Sequence, residues 1–519
     1  VNGESAFGNG VEIDVLNEGG GRELMLFDRL SSQLAYLMVV YRHDTALIQA
    51  LRGAIENYSN EKKSVTGRIG SGSRISNCNT INNVFIGSDV TITGAQFLQN
   101  GSIIGEIDTT TVVGSGVIAK DFIIQSGSTV DSGALLEKTF VGQGVKIGKQ
   151  FSSENSLFFA NSEGFHSEAV SVFGGPYTVT HHRSTLLIAG MYSFFNAGSG
   201  TNQSNHMYKL GPLHQGIVER GSKTGSFSYL LWPCKVGPYS VVMGKHGGNF
   251  DTSDLPFSYL TVENEKTFLT PAMNLITVGT RRDSSKWPNR DRRKGETKLD
   301  LIHFELLNPF VMSKVLNGID ILTELYEKTP KEREVVNYSG VRIKRLMLKS
   351  CKKYYEMALH IFIGDQVFNQ IEKLDAAITL EALKGLMKNN GDEADTDWVD
   401  MAGLVAPVRQ LADTISQIKS MKDVDLLKIE NKLQSLFDNY ESYTWDYACQ
   451  ILKERFGISK ENLDSEHLKD IFLRWRENSI RLNNMILSDA KKEFDANSKI
   501  GFGLGGDDAE KNADFEEVR

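Results

Sequence analysis

"GVIAKDFIIQSGSTVDSGALLEKTFVGQGVKIG", residues 116–148, decides the fold. Ile118, Ile124, Val130 and Leu136 recur at every sixth position, and Val141 and Ile147 extend the train after one five-residue step. The same interval spaces Ile69, Ile75 and Ile81, then Ile86, Ile92 and Leu98, and much later Val236 and Val242. Gly70, Gly87, Gly142, Gly148 and Gly237 directly follow an aliphatic anchor, and Ser73, Val90, Ser128, Ala134, Val145 and Ser240 stand four residues after one. Asn79, Gln96 and Phe122 break the pattern. A period of six matches neither the 3.6 of a helix nor the simple alternation of a flat strand. It suits a triangular coil whose sides are short strands, with the anchor pointing inward and a small residue near the corner. Successive coils then stack at the interstrand distance of ~4.8 Å, each burying its anchors against its neighbours.

Outward from this stretch the chain changes character. It has 519 residues, 40% hydrophobic and 24% charged, and its 48 glycines crowd into the first half while only 10 prolines occur. Length and composition suit a globular protein of two or more domains. The first residue is Val1, and "FGNGVEI" (7–13) already looks like repeat, so residues 1–21 are expected to form a partial coil in an excerpt of a longer protein. Leu30, Leu34, Leu37 and Tyr41, then Leu47, Leu51 and Ile55, fall at helical spacing, which predicts a helical insertion over 22–62 with Asp44 as an N-cap. The β-helix is expected over 63–280, its register lost between about 150 and 230, where "VSVFGGPYTVTHHRSTLLIAG" (170–190) still reads as strands and turns. A basic connector (281–300) leads to helical regions at 301–387 and 398–500, separated by "KNNGDEADTD" (388–397) and followed by an acidic tail (501–519) expected to be disordered. Leu307, Val311, Val315, Ile319, Leu322 and Leu325 form one apolar helical stripe, and "KRLMLKSCKKYYEMALHIFIG" (344–364) carries another.

Charge and cysteines narrow the function classes. A net charge of -8 argues against nucleic acid as a partner. Cys78, Cys234, Cys351 and Cys449 lie far apart without a CxxC pair, as in a reduced cytoplasmic protein. No apolar run reaches the ~18 residues of a membrane span.

The repeat residues resemble the hexapeptide pattern of the left-handed parallel β-helix superfamily, whose best-known members are acyltransferases. "GPYTVTHH" (175–182), "AGSGTNQSNHMYKLGPLHQGIVERG" (197–221) and "LPFSYL" (255–260) are similar to an uncharacterised family of large β-helix proteins sometimes labelled nucleotidyltransferase-like. The resemblance implies a β-solenoid plus α architecture: a left-handed parallel β-helix with a helical insertion and a helical C-terminal region. It also implies a homo-oligomer, with a trimer favoured. The activity implied is acyl transfer from a coenzyme A thioester, as co-substrate and not a tightly bound cofactor, to a sugar or nucleotide-sugar acceptor. A non-catalytic scaffold or sugar-nucleotide binder on the same fold is the alternative. A second alternative is a nucleotidyltransferase-associated β-helix whose catalytic domain is absent from this chain. "VGTRRD" (278–283) lacks the Gly-rich approach of a nucleotidyltransferase loop, and no βαβ alternation surrounds it.

Five of the ten histidines (His181, His182, His206, His214 and His246) lie between residues 181 and 246. In β-helix acyltransferases a histidine removes the acceptor's proton, and His206 and His214 are the candidates for that base. His181, His182, Asn202, Gln203, Asn205 and Lys209 are candidate substrate ligands, the amides beside His206 being placed to stabilise an oxyanion. The zinc-binding members of the fold use three histidines, two of them close in sequence. Here His206 and His214 are eight apart, so no metal site is expected. His246 stands in a slot usually given to a small residue, so the register is expected to end there and His246 to lie on an exit loop. "RRDSSKWPNRDRRK" (281–294) sets Arg281, Arg282, Lys286, Arg290, Arg292, Arg293 and Lys294 against only Asp283 and Asp291. Arg281, Arg282, Arg290, Arg292 and Arg293 are candidates to grip cofactor phosphates, or the stretch is a solvated connection pairing with acidic helices.

Overall fold

The protein is a parallel β-solenoid joined to a helical C-terminal region, seen in a computed structural model that describes residues 1, 3–206, 211, 214–374, 379–387, 397–422 and 424–518. Three columns of inward side chains build the solenoid core. The first runs Leu98, Ala119, Leu136, Ser153, Ala169 and Leu187, and continues through Gln203 and Leu230 to His246. The second runs from Ile86 through Ile103, Ile124, Val141, Phe158, Gly174, Tyr192 and Val218 to Val236. The third passes Ile75, Ile92, Val113, Val130, Ile147, Gly164 and Thr180, ending at Val242 and Leu260.

From Leu98–Ile103 to Leu187–Tyr192, one side of the coil advances five residues and not six. The seven-residue strands Phe97–Ile103, Ile118–Ile124 and Leu135–Val141 bend at Asn100, Asp121 and Lys138, which have positive φ. The anchor before Ile124 is therefore Ala119, and Ile118 points outward at 38% exposure. Ile69 and Ile75 are exposed too, because they belong to the terminal coil and nothing stacks beyond them among the described residues. The small residues four places after the anchors do line a corner. Ser128 Oγ donates to Gly142 O (2.6 Å) and accepts from Val145 N–H (3.1 Å), and Ser73 and Ser222 repeat the arrangement.

The coils continue through residues 150–206, and the ladder is found again from Gly216–Val218 onward. Their pattern is hidden because small residues hold anchor slots there and neighbouring aromatics fill the space. A Cβ on Gly164 would lie 3.0 Å from the Phe151 ring, and one on Gly174 would lie 3.1 Å from the Phe158 ring. His246 is no exit-loop residue: it pairs beside Leu230 and is fully buried. Residues 1–21 do not form a coil. Glu12–Asp14 pairs antiparallel with Glu23–Met25, and Phe7 and Gly8 lie across the corner at Asn100–Ser102.

Helices α1 (Ser32–Val40) and α2 (Thr45–Glu61) form the expected insertion, and Asp44 caps α2 by accepting from Leu47 N–H (3.1 Å). With the later helices they cover a second apolar row, on the outside of the solenoid, that includes Ile123, Phe140, Leu157, Phe173 and Met191. Helix α3 (Val278–Lys286) takes in the start of the basic stretch. Helices α4 (Pro309–Lys328) and α5 (Arg345–Glu372) close one end, where Tyr355 donates to Pro256 O (2.7 Å). Beyond α6 (Leu380–Leu386) a hairpin of Trp398–Met401 and Leu404–Pro407 precedes α7 (Val408–Ser420), α8 (Leu426–Asp438), α9 (Tyr440–Phe456) and α10 (Ser465–Lys491). The tail carries a helix, α11 (Asp508–Val518), which buries Phe515 against Phe494 and Phe502. Most of the expected linker, 388–396, lies outside the described residues.

Candidate functional site: a cationic cleft between solenoid and connector

Where the basic stretch crosses the solenoid it roofs a cleft of about 280 Å³. Its floor is one face of the prism, where Glu163, Val179, Asn196 and Lys223 stand in register on successive coils. At the adjoining corner Tyr177 and Phe194 stack with ring centres 5.3 Å apart. The next corner residue, Gly221, has no side chain, and a Cβ there would meet Tyr239 at 2.2 Å. Trp287, from the connector, packs at this break, 4.7 Å from Phe194 and 6.3 Å from Tyr239.

The connector is clamped by its own charges. Arg292 donates to Gly144 O (2.6 Å), Glu163 (2.6 Å) and Asn161 O (2.8 Å). Arg293 is buried and forks onto Asp291 (2.9 Å by Nε and by Nη2) while reaching Asp300 O (2.5 Å). Burial alone would raise the Asp291 carboxyl, but the Arg293 guanidinium holds it well below the carboxylate range. Arg292 and Arg293 thus spend their hydrogen bonds on the fold. Arg281 does not line the cleft; its charge acts on Asp365 of α5.

Four cations remain around the cleft besides Arg292. Lys223 and Arg282 both pair with Asp283 (3.2 and 3.0 Å). Lys286 and Arg290 are exposed, and among the described residues neither side chain has a hydrogen-bond or ion-pair partner. His181 Nε2 lies 2.7 Å from Glu163 and its ring stacks on Phe165 at 5.3 Å. Against the upward push of burial, hydrogen bonds from His181 and Arg292 bring Glu163 down to about 2, so it is a carboxylate at neutral pH. A carboxylate at Nε2 fixes the neutral ring's proton there and leaves Nδ1 a lone pair. A histidine in that state can accept a proton.

The other candidates are elsewhere. None of Asn202, Gln203, Asn205, His206 and His214 lines this cleft. Asn202 is exposed, while Gln203 points into the prism, where its Oε1 accepts from Ile188 N–H (3.1 Å) and from the Tyr192 hydroxyl. Asn205 is fully buried and donates to Glu18. Gln203 Oε1 and Asn205 Nδ2 are thus engaged within the fold, while Gln203 Nε2 has no partner among the described residues. His206 is exposed, and His214 is half-buried with Nε2 unpaired among the described residues. His182 is exposed beside His181, and Lys209 lies outside the described residues. The sequence reading missed Glu163, Lys223, Phe194 and Trp287. Glu163 and Lys223 do share one strip of surface, but Asn196 and Lys223 on successive coils are 27 residues apart in sequence, so a regular spacing does not align them.

Comparison with known proteins assigns no chemistry. The family described as Domain of unknown function (DUF4954) matches residues 1–326, and Domain of unknown function (DUF6819) matches residues 379–519. An uncharacterized protein of Treponema pallidum (strain Nichols) is 26% identical over 486 residues, covering 86% of this chain. The chain spans 65% of that relative's length.

Proposed function

We propose, given that the chain belongs to the family described as Domain of unknown function (DUF4954), that the cleft binds the phosphates of a coenzyme A or nucleotide-sugar ligand and serves acyl transfer to a sugar. The observation that carries this reading is the pair of uncommitted cations, Lys286 and Arg290, over a cleft that also holds the His181–Glu163 pair. Guanidinium and ammonium groups without internal partners gain most from a phosphate. His181 is a better placed base than His206 or His214. It would take the proton of the acceptor hydroxyl or amine as that group attacks the thioester carbonyl, and return it to the departing coenzyme A thiolate. The hexapeptide-like repeat supports this chemistry by resemblance; whether the prism belongs to the hexapeptide superfamily is part of the proposal.

A thermal-shift titration with coenzyme A, acetyl-coenzyme A and a panel of nucleotide sugars tests it. Saturable stabilisation is expected, lost in Lys286→Ala and Arg290→Ala. Turnover is expected to vanish in His181→Ala while the shift remains. No shift with any ligand removes the reading. A shift without turnover leaves the second reading, a non-catalytic binder, which the structural employment of Arg292, Arg293, Gln203 and Asn205 favours.

A further inference from the structure

The roof and the floor of the cleft both lean on the C-terminal segment. Helix α3, which carries Arg282 and Lys286, starts without a side-chain cap of its own: Thr277 sits at the N-cap position but makes no capping bond. Asp489 of α10 supplies one from outside, its Oδ2 accepting from Val278 N–H at 3.0 Å. Its other oxygen accepts from Lys492 Nζ (3.0 Å), which fixes the carboxylate's orientation. A negative charge against the first turn is also favourable to the helix dipole. Beneath the floor, the guanidinium of fully buried Arg220 lies 4.8 Å from the centre of the Phe194 ring. Arg220 is held by Asp400 (3.4 Å) on the Trp398–Met401 strand and donates to His303 O (2.7 Å). Asp400 and Asp489 both fall in the segment that matches a family of its own.

We propose that the C-terminal segment is the positioning element of the cationic cleft, Asp489 fixing the roof helix and Asp400, through Arg220, fixing the aromatic floor. The inference rests on the cleft being an anion site, and it names what holds that site in shape. None of these residues touches the ligand. Asp489 acts through the start of α3, which sets where Lys286 and Arg290 stand over Lys223 and His181. Docking of the C-terminal segment and occupancy of the cleft are therefore coupled.

The test is inorganic pyrophosphate binding by the full chain, followed by calorimetry, with thermal stability read in parallel. Asp489→Ala is expected to weaken binding about fivefold, since losing a positioning contact misplaces both cations. Val278→Pro gives an independent probe. It deletes the capped N–H at the first helical position, where proline is tolerated, after an extended Thr277 that accepts a following proline. The same weakening is expected there, and Asp489→Asn, which keeps an acceptor oxygen, is expected to restore binding. Asp464→Ala removes the cap at the far end of α10 (His467 N–H to Asp464, 2.8 Å) and is expected to cost stability without changing affinity. If Asp489→Ala and Val278→Pro bind like the parent while Lys286→Ala and Arg290→Ala do not, the cleft reading stands and this proposal falls. If the parent does not bind pyrophosphate, or binds it as well without Lys286 and Arg290, both fall.

Discussion

His246 occupies a slot built for an aliphatic side chain, at the end of the column that contains Leu136 and Leu230. Its Nδ1 lies 2.9 Å from Thr267 Oγ1, and its Nε2 has no partner among the described residues. Burial pushes this imidazole down to about 4. His303, stacked between Phe437 and Tyr440, is pushed to about 3 by burial and by the nearby Arg220 charge. Both rings are neutral when folded and would take up a proton near pH 6.5 on unfolding. The stability they contribute is thus complete above about pH 6.5 and is lost as pH falls toward 4 and 3, by at most ~1.4 kcal/mol per pH unit for each ring. His246→Leu is expected to leave stability at pH 7 equal or higher, because an unpaired buried nitrogen is removed. It should also flatten the decline in melting temperature between pH 6.5 and 4. An unchanged decline would show that His246 is not a source of the acid sensitivity.

At the scale of the strand, the inward and outward rows make opposite demands on adjacent residues. Ile118 and Ala119 are neighbours in sequence, yet one is 38% exposed and the other is fully buried. Ile118→Lys is expected to change unfolding free energy by no more than ~0.5 kcal/mol, whereas Ala119→Lys, which buries a charge between Leu98 and Leu136, is expected to prevent folding. Chemical denaturation of the first variant and soluble yield of the second check the register. The same pair shows what the sequence carried. A period near six was enough to announce a prism, because Val130, Leu136, Val141 and Ile147 are aliphatic and do point inward. Placing the register through Ile118 failed, since the five-residue side depends on a left-handed bend at Asp121 that spacing alone does not mark. Farther on, Gly164 and Gly174 stand in anchor slots and Phe151 and Phe158 supply the volume, so hydrophobic periodicity vanishes although the coil persists. The cleft was half legible for a related reason. A basic run is visible in any sequence, but which of its cations are free depends on Asn161, Glu163 and Gly144, more than a hundred residues away.

Across the whole molecule, the hairpin Trp398–Pro407 decides whether the two matched regions behave as one body. Ala402 O accepts from Ser32 Oγ (3.1 Å), Met401 O from Gln33 Nε2 (3.2 Å), and Gly403 O from His303 N–H (3.0 Å). Asp400 faces Arg220, whose Nε and Nη1 make no hydrogen bond among the described residues and whose charge is wholly out of water. A buried guanidinium in this state depends on its counter-ion: removing one partner of such a pair typically costs ~3–5 kcal/mol, because the other charge is left without compensation. Asp400→Ala should therefore destabilise both regions together, and calorimetry of this variant should show one endotherm displaced downward as a unit. Replacing both partners, Arg220→Met with Asp400→Leu, removes the stranded charge and is expected to recover most of the loss. The mutant cycle separates a structural pair from mere proximity. If Asp400→Ala splits the transition in two, the C-terminal helices melt apart from the solenoid and the hairpin is not their joint. If the double replacement recovers nothing, packing around Phe194, and not charge, ties the hairpin to the cleft floor.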